Sequence, residues 1–207
     1  DSSNTSTRDT DVDVETLTVT AVRLGSSEGS GTAGTVGSAL TGTYGQLTLN
    51  SNGSYTYVAN QTAADNLDAG DVATDTFNYT VSDGTATDTA VITITVIGIN
   101  DAPSAQNDVG VIVEDGTLTV TNGSNATLTG DSYDATGENS GDLIDTSSSS
   151  HTDSDLDTSA SLSITQIKKD GGSNSAVAVG SSYNSSGTQV TGTYGTLTIG
   201  ADGSYTY

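Results

Sequence analysis

One segment of this chain occurs twice. Residues 41–57, TGTYGQLTLNSNGSYTY, return as residues 191–207, TGTYGTLTIGADGSYTY, so that Tyr44 and Tyr194 stand 150 positions apart. Upstream, Asp9, Asp11 and Asp13 return as Asp153, Asp155 and Asp157, and Leu17–Thr20 returns as Leu162–Thr165, at separations of 144 and 145. Self-similarity at such a distance marks a repeat architecture, well beyond shared low complexity. Residues 1–57 and 145–207 are thus copies of one unit. The first copy is expected to lack an opening strand of the kind at 105–121, and the second to lack everything matching 58–103.

Within the copies the apolar residues alternate with Thr and Ser, which is the period of a half-buried strand. Residues 16–22 place Leu17, Val19 and Ala21 on one face. Residues 44–49 and 54–58 flank the turn signal Asn50–Gly53 and read as a hairpin. Residues 75–81 turn Phe77, Tyr79 and Val81 inward, residues 89–97 form the longest and most apolar strand, and residues 117–121 form another. No segment carries a helical period. Many short strands separated by turns predict an all-β sandwich. The only proline, Pro103, ends the longest strand and stiffens the exit. The boundary is placed there, giving domains 1–103 and 104–207, the second with a Ser/Asp/Gly-rich insertion at 130–152.

Composition narrows the function. Four basic residues face 26 acidic ones, a net charge of −22. Such a surface has no basic patch to displace counterions from a phosphate backbone, which excludes nucleic acid as a partner, and anionic membranes are disfavoured on the same ground. Uncompensated carboxylates repel one another, and either disorder or divalent cations relieve that repulsion. The strand periodicity argues against disorder. There is no cysteine, hence no disulfide and no thiol chemistry. No apolar run approaches membrane-spanning length, so membrane insertion is not expected, and any secretion signal is expected to lie outside these residues. With only 32% apolar residues, each sandwich has a thin core.

The acidic row is the main candidate site. Asp9, Asp11, Asp13 and Glu15, matched by Asp153, Asp155 and Asp157, crowd carboxylates on one side of an extended backbone. Several hard oxygen ligands together suit Ca²⁺, which takes six to eight of them; the alternative is a solvated acidic turn. An EF-hand is excluded, because no glycine stands at the sixth loop position and Thr20 and Ile164 occupy the twelfth. Tyr55 with Tyr57, and Tyr205 with Tyr207, read as packing pairs rather than a sugar platform. His151, the only histidine, reads as solvated, and a single histidine leaves no Ser-His-Asp triad to recur with the repeat. Carboxylate pairs suited to glycoside hydrolysis are available without the aromatic content of a sugar cleft. No catalytic residues are assigned, and the chain is not read as an enzyme.

Four stretches carry a resemblance: Tyr44–Tyr57, Asp75–Gly84 (DTFNYTVSDG), Val91–Pro103 with its Asn-Asp-Ala-Pro ending, and Glu114–Val120 (EDGTLTV). In this order they resemble the VCBS repeats of bacterial adhesins, within the cadherin-like group of giant repeats-in-toxin adhesins. The resemblance implies tandem cadherin-like, Ig-like β-sandwiches in a linear array, export to the cell surface or medium, and calcium at domain junctions. It implies junction ligands among Asn100, Asp101, Glu114, Asp155 and Asp157. The insertion and the unequal spacing after the two Asp-x-Asp runs depart from the compact family pattern. The expected role is a calcium-stiffened spacer or shaft in adhesion or biofilm. Its partners would be neighbouring repeats, identical chains, or a cell-surface or matrix polysaccharide. The alternatives are a self-assembling filament subunit completed by strand exchange between neighbours and a glycan-binding module.

Overall fold

The computed structural model describes residues 9–12, 15–123, 127–129, 142–144 and 151–207, with backbone alone at 127–129. Nearly all regular structure is strand, in two compact units, Asp1–Asp101 and Ala102–Tyr207. Asp13, and the insertion apart from 142–144 and 151–152, lie outside the described residues.

The first unit is a two-sheet sandwich with antiparallel pairing throughout. One sheet has the order β2 (Ala33–Gly34), β1 (Thr18–Leu24), β6 (Val72–Ser82), β7 (Thr87–Ile97); the other has the order β3 (Ala39–Thr41), β4 (Gln46–Leu49), β5 (Tyr55–Val58). The β6–β7 ladder runs through all 11 residues of each strand, from Val72 opposite Ile97 to Ser82 opposite Thr87. Its β-branched and aromatic residues fit a pleated, half-buried surface. Its turn is closed by Asp83, whose Oδ1 accepts from the amides of Thr85 at 2.6 Å and Ala86 at 2.7 Å.

Alternation delivers the core: Val19, Val22, Leu40, Leu47, Leu49 and Phe77 are buried together, with Tyr57, Tyr79 and Val81 packed against them. The expected face of β1 holds only as far as Val19. The register to β6 slips between Val19 and Ala21, so a bulge at Thr20 turns the strand over and Val22, 2% exposed, follows Val19 into the core instead of Ala21. The one helical turn among the described residues, α1 (Thr62–Asp65), had no readable period because four residues are too few to show one.

In the second unit, β8 (Thr117–Val120), β9 (Thr127–Thr129), β12 (Thr188–Thr191), β13 (Thr196–Ile199) and β14 (Tyr205–Thr206) form one sheet in the order β12-β13-β14-β8-β9, beside a ribbon of β10 (Gln166–Ile167) and β11 (Ser175–Ala176). Leu118, Val120, Val177, Ile199, Ala201 and Tyr205 make its core. His151 is held, not merely solvated: its Nδ1 lies 2.8 Å from the Asn107 carbonyl oxygen.

The sequence repeat is a repeat of hydrogen bonds. In the first hairpin Asn50 N donates to Ser54 O, and in the second Gly200 N donates to Ser204 O, both at 2.8 Å. Both turns place a glycine at positive φ, Gly53 at 83° and Gly203 at 85°, where a side chain would be strained. Asn52 and Asp202 each use Oδ1 to accept from the amide and hydroxyl of the following serine, Ser54 or Ser204. Val19 N bonds Ser51 O and Ile164 N bonds Ala201 O, each at 2.9 Å, so the run 17–20 and its copy 162–165 dock alike on their hairpins.

Candidate functional site

The acidic segment of the second unit folds across one end of its hairpin. Asp153, Asp155 and Asp157, together with Asp202 from the hairpin turn, line a cleft of about 590 Å³ that Ser161 and Ser181 also border. Local bonding shapes this segment before any ligand is considered. Ser104 and Ser154 exchange backbone hydrogen bonds at 2.7 and 3.0 Å, which places Asp153, 7% exposed, to accept from Gln106 N at 2.8 Å. Asp155 Oδ1 accepts from Asp157 N at 2.9 Å, the geometry of an Asx turn.

The donor type is right for a hard cation, since the cleft offers carboxylate and hydroxyl oxygens. The spacing is not that of a finished cage. Among the described residues no three acidic side chains converge on a common point. A cation bound here would have to draw the carboxylates inward.

The other predicted ligands are dispersed. In the first unit Asp9 Oδ2 accepts from the Tyr79 hydroxyl at 3.1 Å, and burial together with the Asp9 charge pushes the Tyr79 phenol up. Asp11 is half-buried and Glu15 is exposed. Asn100 donates from its side-chain amide to the Asp101 carbonyl within the first unit. Glu114 sits exposed in the second unit, in a turn where Gly116 N bonds Val113 O.

A polar centre in the first unit escaped the sequence reading. Asp75 of β6, 3% exposed, points between the sheets at the turn joining β3 and β4. Its Oδ1 accepts from Thr43 N at 2.8 Å; its Oδ2 accepts from Tyr44 N at 3.0 Å, Gly45 N at 3.2 Å and the Tyr57 hydroxyl at 2.5 Å. Burial alone would push this carboxyl up, but the phenol and the three amides outweigh it and hold it below the usual carboxylate range. The Tyr57 phenol is pushed well up, first by burial and then by the bond to Asp75. Glycine is required on both sides of the turn. A Cβ on Gly42 would strike the Asp75 carboxylate, and one on Gly45 would strike the Val58 carbonyl and the Tyr57 ring.

Three residues on, Asn78 is also buried and donates from Nδ2 to Gly25 O at 2.9 Å and Ser30 O at 3.0 Å, while its Oδ1 accepts from Gly29 N at 3.1 Å. Two polar side chains of one strand thereby fix two separate loops. The readable signal is a carboxylate at Asp75 in the same inward parity as Phe77, where an alternating strand places apolar residues.

No helix among the described residues is long and apolar enough to cross a membrane. No curated protein matches the chain. Sandwiches of the cadherin-like type are typically structural rather than catalytic, and their bacterial forms are generally extracellular or surface-exposed. Residues 1–98, which hold the whole of the first sandwich, match the family model of the bacterial cadherin-like domain.

Proposed function

We propose that this chain is a stretch of tandem VCBS-type repeats from a secreted bacterial surface protein, acting as the spacer or shaft of an adhesin or an extracellular matrix protein. The observation that supports it is the recurrence of one hairpin, in residues and in hydrogen bonds, in a chain whose first 98 residues match a bacterial cadherin-like domain. Recurrence of a scaffold with no recurring catalytic set suits a mechanical role, in which length and stiffness are the product. The partners are neighbouring repeats or identical chains along the array, and a cell-surface or matrix polysaccharide at its far end.

Calcium belongs to this reading as the stiffening agent. A cation that binds only the ordered carboxylates stabilises that order by mass action, about 2.7 kcal/mol at a hundredfold excess over Kd. In a domain of this size that corresponds to roughly 10–20 °C in melting temperature. The candidate ligands are Asp153, Asp155 and Asp157, with Asp9, Asp11, Asp13 and Glu15 in the first copy, and Asn100, Asp101 and Glu114 near the boundary. The test is a melt with and without a calcium chelator, paired with small-angle scattering. The expected result is a lower melting temperature and a loss of extended shape on chelation. Identical melts and scattering curves would remove calcium from the mechanism.

A further inference from the structure

The hairpin turn between β4 and β5 carries a reactive dipeptide. Asn52 is followed by Gly53, and a glycine amide meets no side chain of its own when the preceding side chain folds back on it. The tripeptide Asn-Gly-Ser occurs again at 122–124, so the same local sequence stands in two surroundings. Asn52, Gly53, Asn122 and Gly123 are all exposed, and access to water does not distinguish the two sites.

The bonding does. Asn52 Oδ1 accepts from the Ser54 amide at 3.0 Å and from the Ser54 hydroxyl at 2.7 Å. Asn50 Nδ2 lies 3.0 Å from the same hydroxyl oxygen, and an amide nitrogen only donates, so the hydroxyl proton is directed at Asn52. This Asx turn folds the Asn52 side chain back over the Asn52–Gly53 peptide. Its two donors sit on the oxygen that takes up negative charge when a nucleophile adds to Cγ. Gly53 N donates at 2.9 Å to Asn50 O, a neutral carbonyl. Gly123 N donates at 2.9 Å to Asp142 Oδ2, and a carboxylate there opposes loss of the amide proton.

The second hairpin shows what this turn accepts. Asp202 stands where its copy has Asn52, and its Oδ1 takes the same two donors, the amide and hydroxyl of Ser204. An aspartate at 52 therefore fits the turn with its backbone unchanged.

We propose that Asn52 is a self-modifying site that deamidates to aspartate. Gly53 N gives its proton to solvent and attacks Asn52 Cγ. The Cγ–Nδ2 bond breaks, and the nitrogen leaves as ammonia with a proton from water. Water then adds to Cγ of the cyclic imide, and the bond from Cγ to Gly53 N opens, which restores the peptide and leaves a carboxylate. Water is the only co-reactant. Addition at the Asn52 main-chain carbonyl instead gives isoaspartate, whose extra backbone carbon disrupts the bonds from Asn50 N to Ser54 O and from Gly53 N to Asn50 O. The aspartate adds a negative charge at the position whose counterpart, Asp202, lines the acidic cleft of the second unit. The first hairpin thus acquires with age the carboxylate that its copy carries from synthesis.

The test incubates the full chain in mildly alkaline, isotope-labelled water and follows each asparagine by peptide mapping, counting aspartate and isoaspartate together. Asn52 is expected to lose its amide about tenfold or more faster than Asn122. Ser54→Ala should slow Asn52 about tenfold, the loss of one hydrogen bond to an atom gaining charge, whereas Ser54→Thr keeps the hydroxyl and the rate. In concentrated urea, where only the shared tripeptide remains, the two sites should react alike. Equal rates in the folded chain, or unequal rates in urea, overturn the proposal. So does a Ser54→Ala chain that reacts as fast as the parent or faster, which would make these hydrogen bonds a lock on the side chain.

Discussion

Asp75→Ala is expected to cost the first sandwich about 3–5 kcal/mol, because it takes one shared acceptor from four donors of a largely buried network at once. The carboxylate takes four donors, three of them backbone amides of a turn that joins two strands of the opposite sheet. Without it those donors stay where the fold puts them and lose their acceptor, at about 1–3 kcal/mol for each group left buried and unsatisfied. Domains of this size hold roughly 5–15 kcal/mol in all, so the first sandwich should be largely open under conditions where the parent is folded. Amide exchange resolved by residue is the appropriate measurement, since a chain of two units need not melt in one step. Fast exchange should spread through β4, β5 and β6 while β13 and β14 keep parental protection. Parental protection of β4 in the variant would contradict the assigned role.

Protonation should reach the same centre by another route. The Asp75 carboxyl is depressed in the fold, so its stabilisation is present above the unfolded value of about 3.9 and is lost as pH falls through its lower folded value. The Tyr57 phenol is raised, so its share is present below about pH 10 and is lost as pH climbs beyond that. Tyr57→Phe should remove this alkaline contribution, leaving that of Tyr79. It should also move the acid transition to higher pH, because Asp75 loses the phenol that helps to depress it. An acid transition unmoved by Tyr57→Phe would separate the two groups.

Phe77→Ala should be comparably severe. Phe77 has no exposed surface, and its ring meets that of Tyr57 edge-on, with centroids 6.4 Å apart and planes at 69°. Truncating a fully buried phenylalanine costs about 3–5 kcal/mol through lost transfer energy and the cavity left behind. The vacancy also frees the Tyr57 ring, whose hydroxyl is aimed at Asp75, so the penalties at Phe77 and Asp75 should add to less than their sum. Urea midpoints of the two single variants, the double variant and Phe77→Leu test this. Phe77→Leu should recover part of the loss, and strict additivity would show that the ring does not support the clamp.

The hairpins and long strands were legible because their burial follows period two, and a repeated stretch such as 41–57 leaves little choice of turn. The face of β1 beyond Val19 was not, because one extra residue at Thr20 reverses parity without changing the alternation that precedes it. Asp75 went unread for a different reason. Its partners are 18 to 32 residues away in sequence, and only the stacking of the two sheets brings them within reach. The acidic row was visible as spacing, which is a property of the chain alone. The contribution of Asp202 to the cleft depends on how the segment around 153–157 lies against the hairpin turn, a property of packing. Local pattern reveals elements; contacts between elements reveal sites.

The ladder of the first unit also bears on tension. The chain enters β1 at Thr18, opposite Ser82, and leaves β7 at Ile97, opposite Val72, so its points of entry and exit lie at opposite ends of β6. A pull on the flanking chain therefore drags β1 and β7 lengthwise past β6 in opposite directions. Antiparallel hydrogen bonds run across the strands, and such a pull strains all of them at once. Had entry and exit shared one end, the bonds would part in turn like a zipper. In the sheared sheet, β6 is also held outside the ladder, by Asp75 to the opposite sheet and by Asn78 to the loop at 25–30, so sliding has to work against these contacts too.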